Sequence, residues 1–209
     1  MKLRKILSAA LTVALLFLLT ACGESIIYDQ STYLPGTTEG YTYTGNPVGF
    51  TITLNEDWLI YGPENFEAVI GMKQDLENRQ QLEEILNAGQ AIYELYATDA
   101  NHTILRVSVE DLRVFFGDIT AQDFAEIQAS HLPKMANAYA LENVEVTVGT
   151  MELAGTSYPS VYLTSEMVHV PHYERYVYIQ KDNYLYTLLC SCVDVDRTDE
   201  MLALFTPIA

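Results

Sequence analysis

The sequence predicts an α+β fold in which an antiparallel β-sheet is covered by helices on both faces, an α/β/α sandwich. Three observations predict it. Most segments after residue 47 alternate apolar and polar residues with period two and are joined by short turn sequences, the pattern of antiparallel hairpins. Two segments instead space their apolar residues three or four apart. The last strand is apolar on both sides, so it needs cover above and below.

Val48, Phe50, Ile52 and Leu54 alternate with Gly49, Thr51 and Thr53, a strand with one buried face. Asn55-Glu56-Asp57 turns the chain, and residues 58–61 are expected to return as its hairpin partner. Met72, Leu76, Leu82, Ile85 and Leu86 fall near helical spacing over 72–88, with Gly89 as terminator. Strands at 91–97 and 103–112 follow, joined by a turn at 98–102. Thr120 then precedes a helix whose apolar stripe reads Phe124, Ile127, His131, Met135 and Ala138, with Asp118 and Asp123 at its positive end and Pro133 expected to kink or split it. Strands at 144–153, 158–168, 173–180 and 184–193 come next, and a short helix at 198–205 closes the chain. In the strand at 184–193, Leu188, Cys190 and Cys192 face one way while Leu185, Leu189 and Val193 face the other, which places it centrally.

The chain has 209 residues, 28 Asp+Glu against 11 Lys+Arg, a formal charge of −17 and 49% apolar residues. That excludes a disordered tail and argues against nucleic acid, which proteins hold by neutralising phosphates with Lys and Arg. Residues 1–21 open with Lys2, Arg4 and Lys5, run apolar from Ile6 to Leu19 and end on small residues, the layout of a secretory signal; the run is short for a membrane span. Its end, Leu19-Thr20-Ala21-Cys22, resembles the lipobox of bacterial lipoprotein precursors, which implies that Cys22 becomes the first residue and carries a diacylglycerol. An ordinary signal peptide with a cysteine near its end is the alternative. Cleavage removes three cations and no acid, which takes the formal charge from −17 to −20. The lipid, not a basic patch, would then hold the protein to the extracytoplasmic face of the cell membrane. Residues 22–40 read as the lipidated cysteine and a flexible tether of about 25 Å, and 41–209 as a single domain.

The stretch Val48-Gly49-Phe50-Thr51-Ile52-Thr53-Leu54-Asn55-Glu56-Asp57-Trp58 resembles the "Gly-aromatic-x-apolar-x-apolar-Pro-x-x-Trp" opening of the PsbP-like fold, with Asn55 where proline is common. That fold is shared by an extrinsic photosystem II subunit, a Ran-binding nucleotide-release factor and many bacterial lipoproteins. The resemblance implies a module that binds a protein partner or assembly without catalysis; the family's partner-contacting residues have no counterparts here, so no site residue follows from it.

Chemistry-bearing groups are few. His169, His172 and Glu174 supply zinc-type ligands, yet on one strand residues 169 and 172 point to opposite faces; only a bulge or turn at Pro171 would unite them, and a loop at a strand junction explains the segment otherwise. Cys190 and Cys192 lie on one face with Cα atoms about 6.6 Å apart, too far for a bridge, and read as buried thiols. The acidic run from Asp194 to Glu200 lacks the Gly and distal Glu of a calcium loop and suits a helix start at Asp196 or Thr198. Ser130 and His131, adjacent on a helix, do not face each other. No nucleophile elbow, phosphate loop or cofactor motif is present. Fifteen tyrosines, nine of them on or beside strands, serve either as strand formers or as contact residues of an exposed strip. Two functions lead, a non-catalytic protein-binding or assembly module or a small-molecule or cation-binding lipoprotein, with an envelope hydrolase carried third.

Overall fold

Alternation along the chain resolves into two antiparallel sheets. The computed structural model describes residues 33–62, 65–115 and 118–208; the signal segment and Cys22 lie outside these described residues. Its strands are β1 (Thr37–Glu39), β2 (Thr42–Gly45), β3 (Phe50–Thr53), β4 (Trp58–Ile60), β5 (Ile92–Asp99), β6 (Ile104–Asp111), β7 (Leu141–Leu153), β8 (Thr156–Met167), β9 (Val170–Lys181), β10 (Tyr184–Val193) and β11 (Thr206–Pro207). The helices are α1 (Phe66–Ile70), α2 (Arg79–Asn87), α3 (Ala121–Ala138) and α4 (Thr198–Leu202). One sheet has the order β1-β2-β3-β11 and the other β4-β5-β6-β10-β9-β8-β7.

As its double-sided apolar pattern predicts, β10 is the middle strand of seven and is buried along almost its whole length. On its first face, Leu105, Val107, Val109, Val177, Leu188 and Cys190 meet Tyr43, Phe50 and Ile52 of the small sheet, Leu82, Ile85 and Leu86 of α2, and Met201 and Leu202 of α4. On the second face Val161, Leu163, Tyr178 and Leu185 meet Ala121, Phe124, Ala125 and Leu132 of α3. The mixed α+β class and the antiparallel pairing thus agree with expectation, but the cover on the first face is chiefly a second sheet, with only short helices beside it.

That second sheet also changes the opening of the fold. Strands β3 and β4 are not a hairpin: β3 pairs with β2 and β11, whereas β4 pairs with β5 at the edge of the large sheet. The turn is as tight as its residues suggest, with Asn55 Oδ1 accepting from Asp57 N at 3.2 Å. The chain nevertheless crosses layers there, so that Ile52 and Trp58 enter one core from opposite sheets.

The folded body also begins before residue 41. Tyr33 is 4% exposed, its ring lies 5.5 Å from that of Tyr184, and β1 pairs with β2. What draws this polar segment in is Glu94, whose carboxylate accepts from the Tyr33 hydroxyl at 2.5 Å, from the Tyr43 hydroxyl and from the Gly36 amide. A buried carboxylate needs such donors.

Helix boundaries and phases shift as well. Asn78 Oδ1 accepts from Gln81 N at 3.1 Å and starts α2 well after Met72. Helix α3 is not split at Pro133, one of the two outcomes expected there; the proline forgoes the single bond that an N–H at 133 would make to the Ala129 carbonyl. The expected stripe is out of phase, because Ile127 and Met135 are 45% and 49% exposed and His131 is exposed, while Ala121, Phe124, Ala125, Leu132 and Ala136 face the sheet.

Gly36 is where space is tightest. An added Cβ would fall 2.5 Å from Tyr43 Cε2 and 2.8 Å from Glu94 Oε2, whereas at Gly149 nothing lies within 4 Å. Gly36→Ala is expected to cost about 1–3 kcal/mol in urea unfolding and Gly149→Ala less than about 0.5 kcal/mol. A Gly36→Ala protein as stable as wild type would contradict the Glu94-centred closure.

Candidate functional site

Helix α3 packs on β7, β8 and β9. A helix about 10 Å wide spans only two or three strands at about 4.8 Å spacing, so the β5–β6 half of this face extends beyond it. Register fixes what that half presents. One row across the sheet reads Tyr96, Arg106, Leu189, Tyr176, and the next reads Tyr93, Ser108, Thr187, with Tyr178 opposite Thr187. Tyr61 joins from beyond β4, its ring 5.6 Å from that of Tyr96 in an edge-to-face arrangement.

Between this tyrosine-bearing strip and α3 lies a cleft of about 180 Å³, lined among others by Tyr93, Arg106, Glu110, Gln128, Tyr178 and Thr187. The Arg106 guanidinium carbon sits 5.4 Å from the centre of the Tyr93 ring. Among the described residues no carboxylate forms an ion pair with it, and its Nε is buried without a hydrogen-bond partner. Thr187, 5% exposed, likewise has its Oγ1 buried without a partner. Burial pushes the Glu110 carboxyl above the usual carboxylate range, with Arg106 pulling partly the other way. Burial and the neighbouring Glu174 push Tyr176 up, and its hydroxyl donates to Glu174 Oε2 at 2.5 Å.

The histidines foreseen as metal candidates separate. No loop spans residues 169–172: β8 and β9 meet in a two-residue turn at Val168 and His169, both with positive φ, and His172 is already in β9. His169 lies near Glu142 and Glu166 instead, with their ligand atoms within 4.8 Å of one another at an exposed edge. His172 is buried, its Nδ1 3.0 Å from Ser165 Oγ and its Nε2 3.0 Å from Ser191 Oγ, with Glu174 3.6 Å away. This hydroxyl–imidazole–hydroxyl ladder links β8, β9 and β10 and satisfies three buried side chains. Sequence reasoning missed it, although a turn centred on Val168-His169 would have placed Ser165 opposite His172.

The remaining candidates are occupied by structure. Cys190 and Cys192 are free and buried with sulfurs 3.7 Å apart, and the hydrogen bond between them lowers the Cys192 pKa while raising that of Cys190. In the acidic run, Asp196 accepts from Thr198 N at 3.0 Å and from the Tyr162 hydroxyl at 2.7 Å, and Asp199 pairs with Arg175. Ser130 donates back to Ile127 O, away from any base role. A larger cleft of about 770 Å³ opens over Glu94, lined by Gly36, Ile60, Tyr61, Phe66 and Leu76 among others, but the one buried acid on its wall already has three donors.

No protein-family model matches the chain, and no curated protein does. Among solved structures the chain is similar to that of cyanobacterial PsbP (CyanoP) from Synechocystis sp. PCC 6803, with 12% identity, 88% of this chain and 93% of that one covered, and a TM-score of 0.46. It is also similar to LpqN, described as involved in cell envelope biogenesis of Mycobacterium tuberculosis, with 10% identity, 73% and 75% coverage and a TM-score of 0.35.

Burial pushes the Glu94 carboxyl up from an ordinary value of 4.5, outweighing its three hydrogen bonds. An unfolded chain then releases this proton at lower pH than the folded one, so wild-type stability falls as pH rises from about 4.5 through the folded value, at up to about 1.4 kcal/mol per pH unit. Glu94→Gln lacks this loss. Its urea midpoint should gain on that of wild type between pH 4.5 and 7.5; a constant difference would contradict a raised Glu94.

Proposed function

We propose that the chain is a lipid-anchored, extracytoplasmic lipoprotein of the PsbP-like class that acts without catalysis, binding a protein partner through the sheet face beside α3. The observation that carries this reading is the β5–β6 half of that face, which among the described residues lies beyond α3 and where half-buried Tyr93 and Tyr96 stand beside Arg106 and Tyr61 packs on Tyr96. Tyrosines and arginine are the residue types that concentrate binding energy at interfaces, because each offers large area and a polar end at low entropic cost. A mature charge of −20 keeps the rest of the body repelled from anionic headgroups, which leaves membrane retention to the lipid on Cys22. Among the described residues no helix is long and apolar enough to cross a membrane.

A second reading, binding of a small molecule, is favoured by one specific observation. Arg106 and Thr187 line one cleft of about 180 Å³ together with Tyr93 and Tyr178.

The first reading predicts a joint outcome in native membranes. Wild type takes up labelled palmitate, stays membrane-bound and gives a discrete adduct when a photoreactive benzoylphenylalanine replaces Tyr96, but not when it replaces Tyr41, which is 45% exposed and directly precedes β2 of the small sheet. Cys22→Ala loses label, retention and adduct together. Unlabelled wild type, or adducts equal at Tyr41 and Tyr96, would contradict it.

A further inference from the structure

We infer that the cleft between β1 and β4 takes an extended basic segment of a partner polypeptide, added as a strand to the free edge of β1; the inference does not depend on the α3 face. Strand β1 ends the small sheet, where among the described residues it pairs with β2 alone, and β4 ends the large sheet. Thr37, Thr38 and Glu39 of β1 are all exposed. These residues, Ile60 at the end of β4 and the α1–α2 connection at 75–77 line one cleft of about 770 Å³. An end strand carries a row of N–H and C=O groups that only water or another strand can meet, and an extended peptide joins a sheet by pairing with that row.

Charge and shape narrow the occupant. Glu39, Asp75 and Glu77 are exposed on this lining, and none of the described residues that form it is basic. Among the described residues no cation forms an ion pair with any of the three. Glu94 is buried and bonded to its own donors, so it adds nothing to this count. A concave lining of one sign gathers the opposite charge, so the occupant is cationic. A second copy of this strongly acidic chain is repelled. Half-buried Ile60, Tyr61 and Leu76 add apolar surface to the same cleft. Successive side chains of an extended strand point to opposite sides, so a segment alternating basic and apolar residues meets both kinds of lining while its backbone follows β1. Five such residues span about 17 Å, matched to the 35–40 stretch of the lining.

A blocked pentapeptide alternating lysine with valine, lysine at both ends, tests this when titrated into the mature chain while NMR follows the backbone amides of 36–40 and 75–77. Two further probes carry the same three charges: the peptide with every backbone amide N-methylated, which cannot donate to a strand, and spermidine, which has no peptide backbone. The expected result is saturable shifts at those amides with the lysine peptide and at least tenfold weaker binding of the other two. Glu39→Lys with Glu77→Lys should weaken the lysine peptide at least tenfold. Glu126→Lys with Glu145→Lys, an equal change of charge at exposed positions of α3 and β7, should leave its binding within twofold. The probe comparisons use wild type and hold even where a variant fails to fold. Spermidine or the N-methylated peptide matching the lysine peptide, equal losses in the two charge-reversed pairs, or no saturable shift with the lysine peptide would each overturn the inference.

Discussion

A seven-stranded sheet is wider than one helix, and the molecule is organised around that mismatch. Six intervals of about 4.8 Å make the sheet about 29 Å across, and α3 covers roughly a third of it. On the opposite face the difficulty is met by a second sheet with α2 and α4 at its sides, which together bury the inner rows of β5, β6 and β10. Among the described residues nothing of comparable size covers β5 and β6 on the α3 face. Tall amphipathic side chains finish that surface, Tyr93, Tyr96, Tyr176 and Arg106, and between them Leu189 is still only 5% exposed. The result is neither core nor ordinary surface, and its two unpartnered polar atoms are a consequence of building a wall from such residues.

Glu94 sets the other boundary of the fold. It enters the core side of the sheet through the bulge between Tyr93 and Leu95, and burial would make it destabilising without donors. Tyr33, Gly36 and Tyr43 supply them, which ties the segment leading from the amino-terminal region to the small sheet. The described fold therefore takes in Tyr33 and Gly36, ahead of residue 41.

How much of this was legible in the sequence depends on how local the signal is. The central position of β10 could be read from Leu185, Leu188, Leu189 and Cys190 because burial on two faces leaves no polar alternation. The β3–β4 hairpin was misread because Asn55-Glu56-Asp57 describes a turn and not the layer to which the next strand returns; Ile52 and Trp58 satisfy the same alternation in either pairing. The phase of α3 was misread because its sheet-facing side is built from Ala121, Ala125 and Ala136, whose small apolar signal is outweighed by exposed Ile127 and Met135. The abundance of tyrosine showed that contact chemistry was available. Tyr93 and Tyr96 join the face of Arg106 through the local β5–β6 hairpin, with their phase set by its bulge, whereas Tyr176 joins them only through the β6–β10 and β10–β9 pairings, the first across more than seventy residues of chain.

The claim on which the account turns is that the β5–β6 half of the α3 face is open in the free protein and closed when it works. Hydroxyl-radical footprinting, read residue by residue on the purified mature chain and on the same chain in native membranes, tests it most directly. Tyr61 and Tyr96 should be oxidised in the purified protein and protected in membranes, while Tyr139, 74% exposed at the end of α3, is oxidised in both. Equal oxidation of Tyr96 in the two preparations, or protection confined to Tyr139, would contradict it.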